Sequence, residues 1–112
     1  MMQITLPMPP SANAYYRSVR GRVVKSEEAR AYQLEAGWTA KIEGFQPVTG
    51  DITVSLDVYR PRKSGDLDNC LKVLLDSLNG IAWFDDGQIT AIHARRFDDK
   101  ENPRVEVTVD WG

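Results

Sequence analysis

The sequence predicts one α+β domain of residues 1–112, a mixed β-sheet with two main helices packed on it. Three observations lead there. Apolar residues alternate at Ile52, Val54, Leu56 and Val58, and again at Val105, Val107 and Val109, which is the period of half-buried strands. Leu67, Leu71, Leu74, Leu75 and Leu78 instead fall at helical spacing. A chain of 112 residues, 42% of them hydrophobic, has room for one modest core.

The elements follow in order. "MQITLPM" is a short strand, ended by prolines at 7, 9 and 10 that lack the N–H a ladder needs. "YYRSVRGRVVKS" reads as a hairpin or ordered loop turning near Arg20-Gly21. Ser26, followed by Glu27 and Glu28, caps a helix that runs to about Glu43, where Gly44 and Pro47 stop it. "DITVSLDVY" is a strand, and a second helix spans about 67–79 with Gly80 as its stop. "FDDGQ" and "DDKENP" are turns around a strand in "QITAIHARRF", and "RVEVTVDW" closes the sheet.

Composition narrows the function. No apolar run approaches the ~20 residues needed to cross a bilayer, and the N-terminus lacks the pattern of a signal peptide. One cysteine, Cys70, makes neither an internal disulfide nor a Cys-rich zinc module. The expectation is a cytoplasmic domain that makes no use of a membrane. The net charge is −2, but residues 1–25 carry Arg17, Arg20, Arg22 and Lys25 and no acid, while Arg60, Arg62 and Lys63 form a second basic cluster. An acidic total can hide a basic face, and these seven residues are the candidate phosphate contacts. No Gly-rich phosphate loop or Gly-x-Ser-x-Gly elbow is present, which leaves nucleotide-cofactor and hydrolase-triad chemistry without support.

Chemistry concentrates in "RPRKSGDLDNCLKVLLDSLNG". Asp68, Lys72 and Asp76 lie four apart and form a polar row on one helix face; the bland alternative is a surface ladder of ion pairs. Residues two apart on a helix point about 200° from each other. Asp66 and Asp68 therefore share a site only if Asp66 precedes the helix and Asp68 sits in its first turn. Paired carboxylates there suit Mg²⁺ or Mn²⁺, which take oxygen ligands; the alternative for Asp66 is a plain helix cap. The EF-hand pattern fails, since counting from Asp66 puts Cys70, Leu71 and Ser77 where it needs an oxygen ligand, Gly and Glu. "WFDDGQ" adds Asp85 and Asp86, which spacing alone does not bring to the first pair. His93, the only histidine, reads as a packed or surface residue.

"LPMPPSANAYYR", "GDLDNCLKVLLDSLNG" and "WFDDGQI", in this order and spacing, resemble the RusA family of Holliday junction resolvases. The resemblance covers nearly the whole chain. It implies a homodimeric, Mg²⁺-dependent endonuclease, often carried by phages and prophages, that cuts four-way DNA junctions by paired nicks in recombination and repair. By position it implies catalytic, metal-holding acids at Asp66, Asp68 and Asp86 and an essential lysine at Lys72, with Asp76 and Asp85 as accessory acids. Asn13 and Tyr16 fall in the N-terminal motif, near the expected DNA contact. The competing readings are another metal-dependent nuclease of branched DNA, and a non-catalytic module whose acids are only caps and ion pairs.

Overall fold

The computed structural model describes residues 1–10, 14, 16–61 and 67–111, with 67–70 as helix backbone alone. Asn13, Arg62, Lys63 and Asp66 lie outside the described residues, as does the side chain of Asp68.

The strands are β1 (Met2–Leu6), β2 (Tyr16–Val19), β3 (Arg22–Lys25), β4 (Ile52–Arg60), β5 (Ile89–Asp98) and β6 (Arg104–Asp110). The longer helices among the described residues are α1 (Glu27–Ile42) and α2 (Leu67–Leu78), and a 3₁₀ helix covers Asp86–Gln88. Four strands form one mixed sheet in the order β1-β6-β4-β5. β6 runs antiparallel to both β1 and β4, and β4 pairs in parallel with β5. The alternation read in the sequence sets the inner face: Ile52, Val54, Leu56 and Val58 of β4 and all three β6 valines are buried. Burying such a side chain contributes about 1.5–3 kcal/mol. Tyr32, Ala36 and Ala40 of α1 and Leu74 and Leu78 of α2 join the same core, so both helices cover one face of the sheet.

β2 and β3 make a separate hairpin. Arg20 and Gly21 both have positive φ, 51° and 77°, as a two-residue type I′ turn requires. Ser26 caps α1 by accepting from Ala29 N, with Glu27 and Glu28 in the first turn. Gly80, at φ 83°, lies just past α2 and lets the chain turn left-handed there. Among the described residues no helix is long and apolar enough to cross a membrane.

The β5–β6 connection is held by one carboxylate. Asp99 Oδ1 accepts from the N–H groups of Glu101 and Asn102 at 3.2 and 3.1 Å, and Oδ2 accepts from Arg104 Nη1 at 3.0 Å. The Asn102 N–H, and then the Arg104 guanidinium, hold its pKa below the ordinary 3.8. The resulting stability is present above that value and is lost as pH falls through the lower, folded-state pKa. Acid melts of the wild type and of Asp99→Asn should therefore converge as pH drops; a gap that stays constant in acid would contradict this.

Candidate functional site

α2 begins at Leu67 and places Asp68 in its first turn, Lys72 one turn on and Asp76 one turn further. Its other faces anchor it. Val73, Leu74 and Leu78 are fully buried, and the buried Ser77 hydroxyl donates to Val73 O at 2.8 Å. Leu71 and Leu75 pack at the margin of the core, so the stripe from Leu71 to Leu78 behaves as its spacing indicates; the side chain of Leu67 lies outside the described residues.

The N-terminal hairpin is fastened to the polar row. Lys72 Nζ lies 5.2 Å from the centre of the Tyr16 ring, a cation–π contact. Lys25 Nζ pairs with Asp76 Oδ2 at 3.1 Å. Tyr16 packs against Ala29 and Val73. Burial first, and the Asp76 charge second, push the Tyr16 phenol above its ordinary pKa of 10.0, so it stays a neutral donor. The two sequence motifs, far apart along the chain, meet here. Lys72 remains exposed, held beside Tyr16 where an anion can reach it. Asp76 and Lys25 engage each other.

The second acid cluster is not the simple turn expected from Asp-Gly. Asp85 caps the 3₁₀ helix, with Oδ2 accepting from Gly87 N at 3.1 Å. Gln88 Oε1 accepts from Phe84 N and Asp85 N at 2.8 and 2.9 Å, and its Nε2 donates to Val48 O and Gly50 O at 2.8 and 2.9 Å. Two of these bonds close the segment on itself, and the other two pin it to the chain ahead of β4. Asp86 Oδ1 accepts from the indole N–H of Trp83 at 2.8 Å, and Trp83 is 0% exposed. A buried tryptophan therefore orients an exposed carboxylate and engages one of its oxygens. Sequence reasoning missed both Trp83 and Gln88: the signal for Gln88 was its capping-box spacing from Asp85, and that for Trp83 was only proximity to the acids.

The chain does not bring Asp86 to the first turn of α2. The two helices run side by side in one direction: Ala29 shares a cluster with Val73, and a Cβ on Gly37 would meet Ile81 at 3.4 Å. α2 descends toward the N-terminal end of β4, where Val48 N donates to Ala82 O at 3.2 Å. From Asp68 to Leu78 its axis spans about 15 Å, at ~1.5 Å per residue. Asp86 follows beyond that end, next to the start of β5. Among the described residues no three His, Cys, Asp or Glu side chains gather where they could hold a metal ion.

Of the basic candidates, Arg17, Arg20 and Arg22 stand exposed on the hairpin. Arg60 Nε instead pairs with Asp98 Oδ1 at 2.8 Å. His93 is exposed on β5.

A family model described as Endodeoxyribonuclease RusA matches residues 7–110. The crossover junction endodeoxyribonuclease RusA of Escherichia coli strain K12 is 32% identical over 109 residues, covering 95% of this chain and 91% of its own length. The protein of that name from Enterobacteria phage 82 is 33% identical over 111 residues, with the same coverage, as is that of Shigella sonnei strain Ss046. The match takes in the hairpin, the α2 row and the 3₁₀ acids together, and the chain belongs to the RusA family of endodeoxyribonucleases.

Proposed function

We propose that this protein is a Mg²⁺-dependent endonuclease that resolves four-way DNA junctions by paired symmetric nicks, serving recombination and repair in the cytoplasm. The observation that carries this reading is the docking of the hairpin, with its exposed Arg17, Arg20 and Arg22, onto the helix bearing Asp68 and Lys72. The exposed arginines are thereby carried on an element packed against that helix.

The donor set fits a hard cation. Carboxylate oxygens are what Mg²⁺ or Mn²⁺ takes, and Asp86 is an exposed carboxylate with one oxygen fixed by Trp83 and a second left over. Asp66 and Asp68 of one chain, with Asp86 from a second copy, would hold the ion. The second copy enters because α2 separates Asp68 from Asp86 within one chain. A bound cation would make a water acidic enough to attack and would draw negative charge from the phosphate.

The protein's own residues do the rest. Lys72, steadied by Tyr16, offers positive charge to the scissile phosphate as charge builds in the transition state. Arg17, Arg20 and Arg22 hold the backbone of the junction arms. Asp85 and Asp76 shape the site, one as a cap and one as the partner of Lys25. A two-fold dimer presents two equivalent sites to a junction that is itself two-fold.

The test uses an end-labelled four-way junction incubated with the protein, with and without Mg²⁺. Symmetric nicks in opposed strands that require the metal support the reading. Cleavage confined to flaps or other branched DNA favours a different nuclease. Binding without cleavage in Mg²⁺ and Mn²⁺ overturns the enzyme.

A further inference from the structure

α1 has two apolar faces, and the one it buries is mostly alanine. Ala29, Tyr32, Ala36 and Ala40 face the interior, while Leu34, Trp38 and Ile42 are 65%, 64% and 79% exposed. An amphipathic helix ordinarily turns its large apolar residues inward. A spacing of four puts these three in one stripe. Beside it runs a groove of about 220 Å³, lined by Gln33, Leu34, Gly37, Trp38, Lys41 and Ile81. A continuous exposed apolar surface of this kind marks a contact site.

We propose that a second copy of the chain docks on this stripe, α1 against α1, antiparallel about a two-fold axis at Trp38. The inference rests on the dimer of the proposed function and names its interface. A two-fold contact must complement itself. Leu34 and Ile42 lie equally far before and after Trp38, and so do Glu35 and Lys41. Antiparallel pairing centred on Trp38 therefore brings Leu34 level with Ile42 of the other copy, and Glu35 level with its Lys41. Lys41 Nζ already lies 5.7 Å from the Trp38 ring centre, so its charge extends over the stripe. Parallel pairing would set Glu35 against Glu35 and Lys41 against Lys41. DNA suits the surface poorly, because Glu35 and Glu43 flank it and offset its exposed cations, Lys41 and Arg30. Three large side chains per copy cover less than the ~800 Å² per partner of a standard interface. The association is therefore weak and concentration-dependent, on the order of micromolar.

Sedimentation equilibrium of the full chain from about 1 to 100 μM tests this on the wild type, Trp38→Glu, Lys41→Glu, Glu35→Lys and the double charge swap. Circular dichroism melts check that each variant folds; all three positions are exposed. Trp38→Glu is expected to weaken association by about thirtyfold or more. Lys41→Glu, which sets acid level with acid twice per dimer, weakens it about tenfold. The Glu35→Lys/Lys41→Glu swap returns to within about threefold of the wild type, since opposite charges are level again. A wild type that dimerises while Trp38→Glu and Lys41→Glu dimerise equally well overturns this interface and leaves the dimer standing. A swap that restores nothing overturns the antiparallel arrangement, even if Trp38→Glu fails to fold. A wild type that stays monomeric throughout overturns both the interface and the dimer.

Discussion

Replacing Asp68 by Asn is expected to reduce junction cleavage by roughly 10²–10³-fold, the scale on which a single electrostatic group in an active site acts. The carboxylate sits in the first turn of α2, where its helix is anchored by Val73, Leu74 and Leu78. Asn keeps the shape and removes the charge that a cation needs. Junction binding should persist, because losing a negative charge near the phosphates reduces repulsion. Cleavage rates at saturating Mg²⁺, beside anisotropy titrations without metal, separate the two effects. Normal cleavage by Asp68→Asn would sink the role of Asp68 in holding metal.

Replacing Trp83 by Ala is expected to lower stability by about 3–5 kcal/mol. The side chain is 0% exposed and belongs to the main core, so truncation leaves a cavity as well as losing burial. The same change removes the indole N–H that holds Asp86 Oδ1. Urea unfolding reads the first effect. The second appears as slower cleavage under conditions where the variant is still folded. A loss of stability under about 1 kcal/mol would show that Trp83 is not the core residue its burial indicates.

The sheet was legible because its cause is local. β4 and β6 alternate strictly, and the core face follows from that period alone. The Ser26 cap and the Arg20-Gly21 turn were legible for the same reason: each needs residues only a few positions apart. The anchoring of the 3₁₀ segment was not. Gln88 reaches back to Val48 and Gly50, and no window around "DDGQ" contains that partner. Nor does the helical pattern of α1 say that Ala36 is buried while Trp38 is exposed; the sheet and α2 decide which face is covered.

The relation of Asp86 to Asp68 turns on one topological fact. β4 and β5 pair in parallel, so α2 must carry the chain back along the sheet before β5 begins. That return puts the start of α2 and the start of β5 at opposite ends. Antiparallel pairing would have left both acid clusters at one end. The β–α–β order was a signal for the parallel crossover, and the shared site proposed above rests on that crossover.

Mixing two inactive copies tests the shared site most directly. Asp68→Asn and Asp86→Asn proteins would be mixed in equal amounts at about 100 μM, well above a micromolar dissociation constant, so that exchange forms the mixed dimer. It would then be given Mg²⁺ and a four-way junction labelled on each strand in turn. With sites built across the dimer, one site loses both acids and the other keeps both, so the mixed dimer nicks one strand while each parent dimer cuts none. A mixed dimer as inactive as its parents would mean that each chain forms its site alone, and would contradict the account.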